Sequence, residues 1–235
     1  MSKPRPKPIT RDRAEIKKFE AEAALAAVDR LKTFAEIRKL EAEAKEIEED
    51  LAARLASDDS HCVYRLVGDI DKESVTECQG YLAEWHRRYP GRELEVVFCS
   101  AGGYLFEGMA LFDYLRQLSA AGHRIVTGCE GWSASMAGIL LQAGDHRWMG
   151  AQSWLMIHEG SDCLEGFTPI YKIGDVHRFN ERAQERILRI FSERSKGRAT
   201  IEFLREQSSR KDWYLEPIEA LRLGLVDEIR GSVAA

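Results

Sequence analysis

The sequence predicts an α/β protein: β-α-β units on a largely parallel sheet, preceded by a helical extension. Three observations predict it. From about Thr10 to Leu55 the chain has neither Gly nor Pro, and Ala, Glu, Lys, Arg and Leu dominate, the composition of a long exposed helix or coiled coil. After Ser57-Asp58-Asp59-Ser60 the pattern changes to β-branched apolar runs alternating with helical ones. One such boundary, Gly131-Trp132-Ser133-Ala134-Ser135-Met136-Ala137-Gly138, sets serines where a strand-like run passes into an apolar helix-like run. The expected domains are therefore 1–57, a helical extension for interaction, and 58–235, an α/β domain.

Within the extension, Ile37, Leu40, Ala44, Ile47 and Leu51 follow alternating three-four spacing, which makes a helical seam. Upstream, Ile16, Phe19, Ala23, Leu25 and Val28 do not continue one clean register. The expectation is one or two helices that associate with a partner or fold back; a single solvated helix is the bland alternative. In the second unit, Cys62 to Val67 reads as a strand closed by Gly68. Lys72 to Arg88 reads as a helix with Val75, Tyr81, Leu82 and Trp85 near one face, stopped by Pro90-Gly91. Leu94 to Phe98 is a second strand, followed by Gly102-Gly103 and a helix from about Leu105 to Leu118. Ile125 to Gly128 is a third, then a Gly-bounded turn and the helix beginning at Met136. Trp154 to His158 makes a further strand, and a loop rich in Gly, Asp and Thr follows. Asp175 to Ser195 is an amphipathic helix with Val176, Phe179, Ala183, Ile187, Ile190 and Phe191 on its apolar side. A short helix starts at Ile201, another runs from Pro217 to Gly224, and Leu225 to Ile229 closes as a strand. Strands separated by helices imply right-handed crossovers.

The 235 residues suffice for one substantial core plus an appendage, and a net charge of −5 gives no reason to expect nucleic acid or an anionic membrane as partner. Cys62, Cys78, Cys99, Cys129 and Cys163 are scattered without a C-x-x-C pair, so free thiols in a reducing compartment are expected. The start, Met1-Ser-Lys-Pro-Arg-Pro-Lys-Pro, is basic but has no apolar stretch of the kind a secretory signal needs. The longest apolar run, around Met136 to Leu141, is too short to span a bilayer. A soluble, cytoplasmic protein is the expectation.

A hydrolytic serine needs a base for its proton, an acid to orient that base and N–H donors for the oxyanion. Ser135 leads directly into the apolar helix and is the nucleophile candidate; Ser133 lies in the same turn and is its rival. His158, at the end of a short apolar strand, is the base candidate, although a lone histidine there is ordinarily structural. His61, His86, His123, His146 and His177 fall in segments that read as linker, helix surface or loop. Gly102-Gly103 permits backbone to approach a substrate, or is a plain turn. Asp212, in Arg210-Lys211-Asp212-Trp213-Tyr214, gains interest only beside Ser135 and His158. The cysteines and histidines form no zinc set, and neither a metal nor an organic cofactor is expected.

Those pieces, in the order Gly-Gly, Ser, His, Asp, resemble the proteolytic subunit of the Clp protease, ClpP. The resemblance runs from Cys62 to Ile229. It is carried by Ser100-Ala-Gly-Gly103 with Gly108-Met-Ala, and by Ala134-Ser-Met-Ala137 with Leu140-Leu-Gln-Ala-Gly144. Met156-Ile-His158, Asp212-Trp-Tyr-Leu215 and Glu219 to Asp227 complete it. It implies the ClpP/crotonase-like spiral of β-α-β units and a serine endopeptidase acting on polypeptides inside an oligomeric ring. It also implies Ser135 as nucleophile, His158 as base and Asp212 as orienting acid, with oxyanion amides on Gly102 and Met136. The Asp175–Ser195 helix matches the element that joins rings in the family. Ala101 and Cys99 depart from the family's proline and asparagine. The larger departure is the helical extension, which puts docking to a Clp ATPase in doubt and resembles phage head-maturation proteases acting on capsid or scaffold proteins. Two competing classes are a noncatalytic structural subunit of such a ring and a crotonase-type acyl-CoA enzyme. The latter needs no Ser-His-Asp set, and the chain carries no compelling CoA signature.

Overall fold

The structure, a computed structural model, describes residues 13–55, 57–160 and 170–231. The chain forms two compact units, Met1–Ser57 and Asp58–Ala235. The first contains α1 (Arg13–Leu55), one continuous helix of 43 residues, so the extension does not fold back as two helices over this span. A run this rich in Ala, Glu, Lys and Leu without a breaker favours helix throughout.

The second unit holds, in order, α2 (Asp58–His61), β1 (Val63–Val67), α3 (Lys72–Arg88), β2 (Leu94–Ser100), α4 (Leu105–Ala120), β3 (Ile125–Ala134), α5 (Met136–Leu141), β4 (His146–Gly150), β5 (Trp154–Ile157), α6 (Ile170–Arg194), α7 (Ile201–Ser208), β6 (Trp213–Leu215), α8 (Pro217–Arg222) and β7 (Glu228–Arg230). The strands β1-β2-β3-β4-β7 form a parallel path. β5 leaves it, pairing parallel with the far end of β3, and β6 pairs antiparallel with β5. The core lies between the sheet and its helices, around Leu66, Trp85, Phe98, Leu111, Leu115, Leu140 and Phe191. α3 starts where its sequence says it should. The Asp71 carboxylate accepts from the Ser74 N–H at 2.9 Å, and Ser74 Oγ accepts from the Asp71 N–H at 3.0 Å.

Several stretches differ from the sequence expectation. The supposed turn after Gly128 is strand: β3 continues to Ala134, its first half pairing with β2 and β4 and its last residues with β5. Gly128 is there for close approach, since a Cβ would stand 2.2 Å from Trp148 Cε2. Strand β4 was hidden by polar residues at its start. His146 and Arg147 open it, and Arg147 is buried because Asp227 accepts from its Nε (2.9 Å) and Nη2 (2.8 Å) while Gln142 Oε1 accepts from Nη1 (2.8 Å). β6 is too short for a sequence period, and the closing strand begins at Glu228 because Leu225 and Val226 are spent on the core. α6 starts five residues before Asp175; along it Ile187, Leu188 and Phe191 are interior while Phe179 is exposed. His123 is buried rather than a surface residue.

Cys62, Cys78, Cys99 and Cys129 are free thiols; Cys163 and the loop 161–169 lie outside the described residues, as do residues 1–12. Burial raises the pKa of Cys62 and Cys78 and pushes that of Cys129 up to about 11, which keeps these thiols protonated near neutrality. Among the described residues no helix is long and apolar enough to cross a membrane.

Candidate active site

Two strand registers assemble the site. In the parallel ladder Ala134 pairs with Met156, so Ser135, the next residue, lies beside the end of β5, and its N–H donates to Met156 O at 2.9 Å. In the antiparallel ladder Ile157 pairs with Trp213, so one step further His158 faces Asp212. Residues far apart in sequence are thereby brought into line. Ser135 Oγ lies 2.8 Å from His158 Nε2, and His158 Nδ1 lies 3.2 Å from Asp212 Oδ1. A carboxylate can only accept, so Nδ1 carries the hydrogen and Nε2 is left to accept from the serine hydroxyl.

Ser135 occupies the N-cap position of α5, where a serine ordinarily turns its oxygen onto the helix N–H groups. It makes no such bond. Its backbone sits at φ 51°, ψ −119°, a conformation that costs a non-glycine residue on the order of 1–3 kcal/mol. The bonds from its N–H to Met156 O and from Ile139 N–H to its own carbonyl (3.2 Å) hold it there. The result is a hydroxyl turned off the helix and toward the imidazole. Ser133 is wholly buried in β3, whereas Ser135 is half-buried.

Gly102 is pressed against this turn. A Cβ on it would stand 2.8 Å from Ser135 Cβ and 3.0 Å from the Met136 nitrogen, and its φ of 107° also favours glycine. The Gly102 N–H, however, donates to the buried Ser100 Oγ at 3.1 Å. Gly103 differs. It bridges Ile70 in parallel fashion, with bonds from Ile70 N–H to Gly102 O (2.8 Å) and from Tyr104 N–H to Ile70 O (2.8 Å). That pattern leaves the Gly103 N–H outside the ladder, and Gly103, not Gly102, borders the cavity beside Ser135. The signal for Ser100 in the sequence is a small polar residue two positions before a glycine pair.

The cavity has a volume of about 710 Å³ and reaches from Gly103, Ser135, Met136 and His158 to Ile139 and Ile187. The rings of Phe106 on α4 and Phe179 on α6 stand 5.7 Å apart at its margin. Polar side chains, among them Glu107, His177, Glu181 and Gln184, line the cavity beside the apolar ones. Glu159 Oε2 accepts from the Arg210 N–H at 3.3 Å, tying the strand end that carries His158 to the segment that carries Asp212. A second cavity of about 380 Å³, against β1 and α3, contains none of the three residues. Among the described residues no three metal-ligating side chains gather.

A family model described as Clp protease matches residues 41–232. The ATP-dependent Clp protease proteolytic subunit of Deinococcus radiodurans is 28% identical over 155 residues, covering 60% of this chain and 66% of that protein. The subunit of the same name from Porphyromonas gingivalis is 29% identical over 167 residues, 68% of this chain and 69% of that one. The one from Pleurastrum terricola is 28% identical over 176 residues, 71% and 85%. The chain thus spans about two thirds of the length of the Deinococcus relative.

Proposed function

The chain belongs to the Clp protease family, and from that premise we propose that it is a serine endopeptidase that cuts peptide bonds through an acyl-enzyme on Ser135. The observation that carries the reading is the 2.8 Å contact between Ser135 Oγ and His158 Nε2, with Asp212 on the other ring nitrogen. His158 takes the Ser135 proton as Oγ attacks the scissile carbonyl, then gives it to the departing amine as the tetrahedral intermediate collapses to the ester. In the second half water attacks the ester carbonyl, its proton passes to His158, and the proton returns to Ser135 as the acid product leaves. Asp212 fixes the imidazole tautomer and stabilises its cation.

The oxyanion is held by the amides of Met136 and Gly103. Gly103 replaces Gly102 in this role because Ser100 engages the Gly102 N–H. The apolar wall of the cavity selects apolar side chains next to the cut. Assembly into a ring belongs to the same proposal. Its support is the family and the outward Arg178, Arg182, Arg186 and Arg189 of α6, which are exposed in the single chain. Because the relatives are named ATP-dependent subunits, a Clp ATPase is the first partner to test.

The experiment is labelling with a fluorophosphonate followed by mass spectrometry. Modification of Ser135, lost in Ser135→Ala and kept in Ser133→Ala, is the expected outcome. Absence of labelling in a folded, assembled sample sinks the catalytic reading and leaves a structural subunit.

A further inference from the structure

The extension carries a charge pattern that the seam alone did not reveal. Because α1 is one unbroken helix, a single heptad register can be laid along it. With Ile37 at a, Leu40 falls at d, Ala44 at a and Ile47 at d. Phe19 stands three heptads before Leu40 at the same d position, but Ala23, Ala26, Arg30 and Thr33 occupy the a and d positions between, so the apolar seam proper begins at Ile37. The large apolar side chains are open to solvent, with Phe19 68%, Ile37 46%, Leu40 64% and Ile47 68% exposed. Apolar residues held on one face at that exposure form a surface without its partner.

The positions flanking the seam are acidic. Glu20, Glu41 and Glu48 fall at e, and Glu22, Glu36 and Glu43 at g, all exposed. Lys17, Arg38 and Lys45 fall at b and Lys18, Lys32 and Lys39 at c, on the outer side of the helix, whereas Arg30 and Arg54 fall at a and d and Arg13 at e, outside the stretch Ile37 to Ile47. Lys39 does reach Glu43 at 3.5 Å along the helix, but both side chains are more than half exposed and a pair of that kind is weak. Charges at e and g decide which helices pair. Two copies of α1 laid parallel would set Glu36 against Glu41 and Glu43 against Glu48, each twice by symmetry. Laid antiparallel they would set e against e and g against g, again carboxylate on carboxylate. Self-pairing along this seam is opposed at neutral pH in either direction.

We propose that α1 is a docking helix for a basic amphipathic helix of another polypeptide, one with an apolar three-four seam flanked by Lys or Arg. The apolar seam supplies association and the acidic flanks select against a second copy of this chain. The argument is independent of the chemistry at Ser135.

The test uses the full chain and three fluorescein-labelled peptides, each roughly four heptads long. The first has Ile at a, Leu at d and Lys at e and g; the second replaces that Lys by Glu; the third scrambles the first. Anisotropy titrations at neutral pH should show the Lys peptide binding at least about tenfold tighter than either other, and less tightly near 1 M salt, where the screening length falls to about 3 Å. The surface variant combining Glu36→Lys, Glu41→Lys, Glu43→Lys and Glu48→Lys should reverse the preference toward the Glu peptide. Leu40→Asp with Ile47→Asp should lose the Lys peptide while circular dichroism reports an unchanged fold for the remaining chain. Equal binding of seam and scrambled Lys peptides reduces the effect to bulk charge and overturns the proposal. So does failure to bind the Lys peptide, or pairing of α1 with itself, detected by exchange between differently labelled copies at neutral pH and low salt.

Discussion

Ser135 Oγ stands 2.8 Å from His158 Nε2 because Ala134 and Met156 are partners in the β3–β5 ladder. The contact is a consequence of register: shifting β5 by one residue would turn His158 to the other face of the strand. On the proposed mechanism, Ser135→Ala and His158→Ala each lower kcat on a peptide substrate by about 10⁴-fold or more, and the double variant is no worse than either single one. Asp212 is 53% exposed, so Asp212→Asn falls less. Kinetics on the variants, with matching melting curves, check this; full additivity would contradict a concerted unit.

The amide assignment separates Gly102 from Gly103. In the crystal structure of a fluorophosphonate adduct, the phosphoryl oxygen should lie roughly 2.7–3.1 Å from the Gly103 and Met136 nitrogens, with the Ser100–Gly102 bond kept. An oxygen on the Gly102 nitrogen instead would return the role to that residue. Gly102→Ala should still reduce kcat by about 10²–10³-fold, since its methyl would press on Ser135 Cβ and displace Met136 N.

Gly128→Ala should destabilise the second unit by about 1–3 kcal/mol without touching the catalytic groups. The new Cβ would lie 2.2 Å from Trp148 Cε2, and that ring cannot easily yield. Its Nε1 donates to Glu95 Oε1 at 2.6 Å, and the Arg230 guanidinium covers it at 4.3 Å. Chemical denaturation measures the loss; a variant as stable as the parent would refute the packing argument.

Arg147 and Asp227 form the ion pair that joins β4 to the chain before β7. Removing one partner, as in Asp227→Leu, leaves Arg147 buried without its counter-charge and should cost about 3–5 kcal/mol, whereas Arg147→Met with Asp227→Leu costs much less. A double-mutant cycle in urea reads the difference.

The same pair predicts acid sensitivity. Burial alone would raise the Asp227 pKa, but the bonds from Arg147 outweigh it and hold it below its usual value. Asp145 is also depressed, burial being outweighed there by the Ile125 N–H, Arg116 and Ser119. A carboxyl with a lowered folded pKa stabilises above its unfolded value of about 3.9, and that stability is lost as pH falls through the folded value. Stability should therefore be flat from neutrality to about pH 5 and decline below about pH 4. The decline should be shallower in the Arg147→Met, Asp227→Leu variant.

Elements with a strong local period were legible from the sequence. α3 begins and ends at Lys72 and Arg88 as read, because Asp71 and Ser74 cap it and Pro90 stops it. What escaped was structure whose cause lies elsewhere in the chain. β4 opens with His146 and Arg147, polar residues that become strand only because Asp227 and Glu228 meet them from the other end of the unit. The stretch after Gly128, expected as a turn, is strand because Trp132 to Ala134 pair with β5. Among candidate site residues, Ser135, His158 and Asp212 stand in motifs and Ser100 stands close before a glycine pair, but the cavity walls at Phe106 and Phe179 carry no signal in one sequence.

By itself the sequence determined the alternation of strand and helix after Ser57, the three-four spacing from Ile37 to Leu51 and the family. These follow from composition, period and motif order, which are local properties of the chain. Only the tertiary structure buries Ser133 and leaves Ser135 half-buried, ties the Gly102 N–H to Ser100, and sets Asp212 opposite His158. Each of those depends on which strand lies beside which and in what register. Register is settled by long-range hydrogen bonds and packing that no single segment encodes.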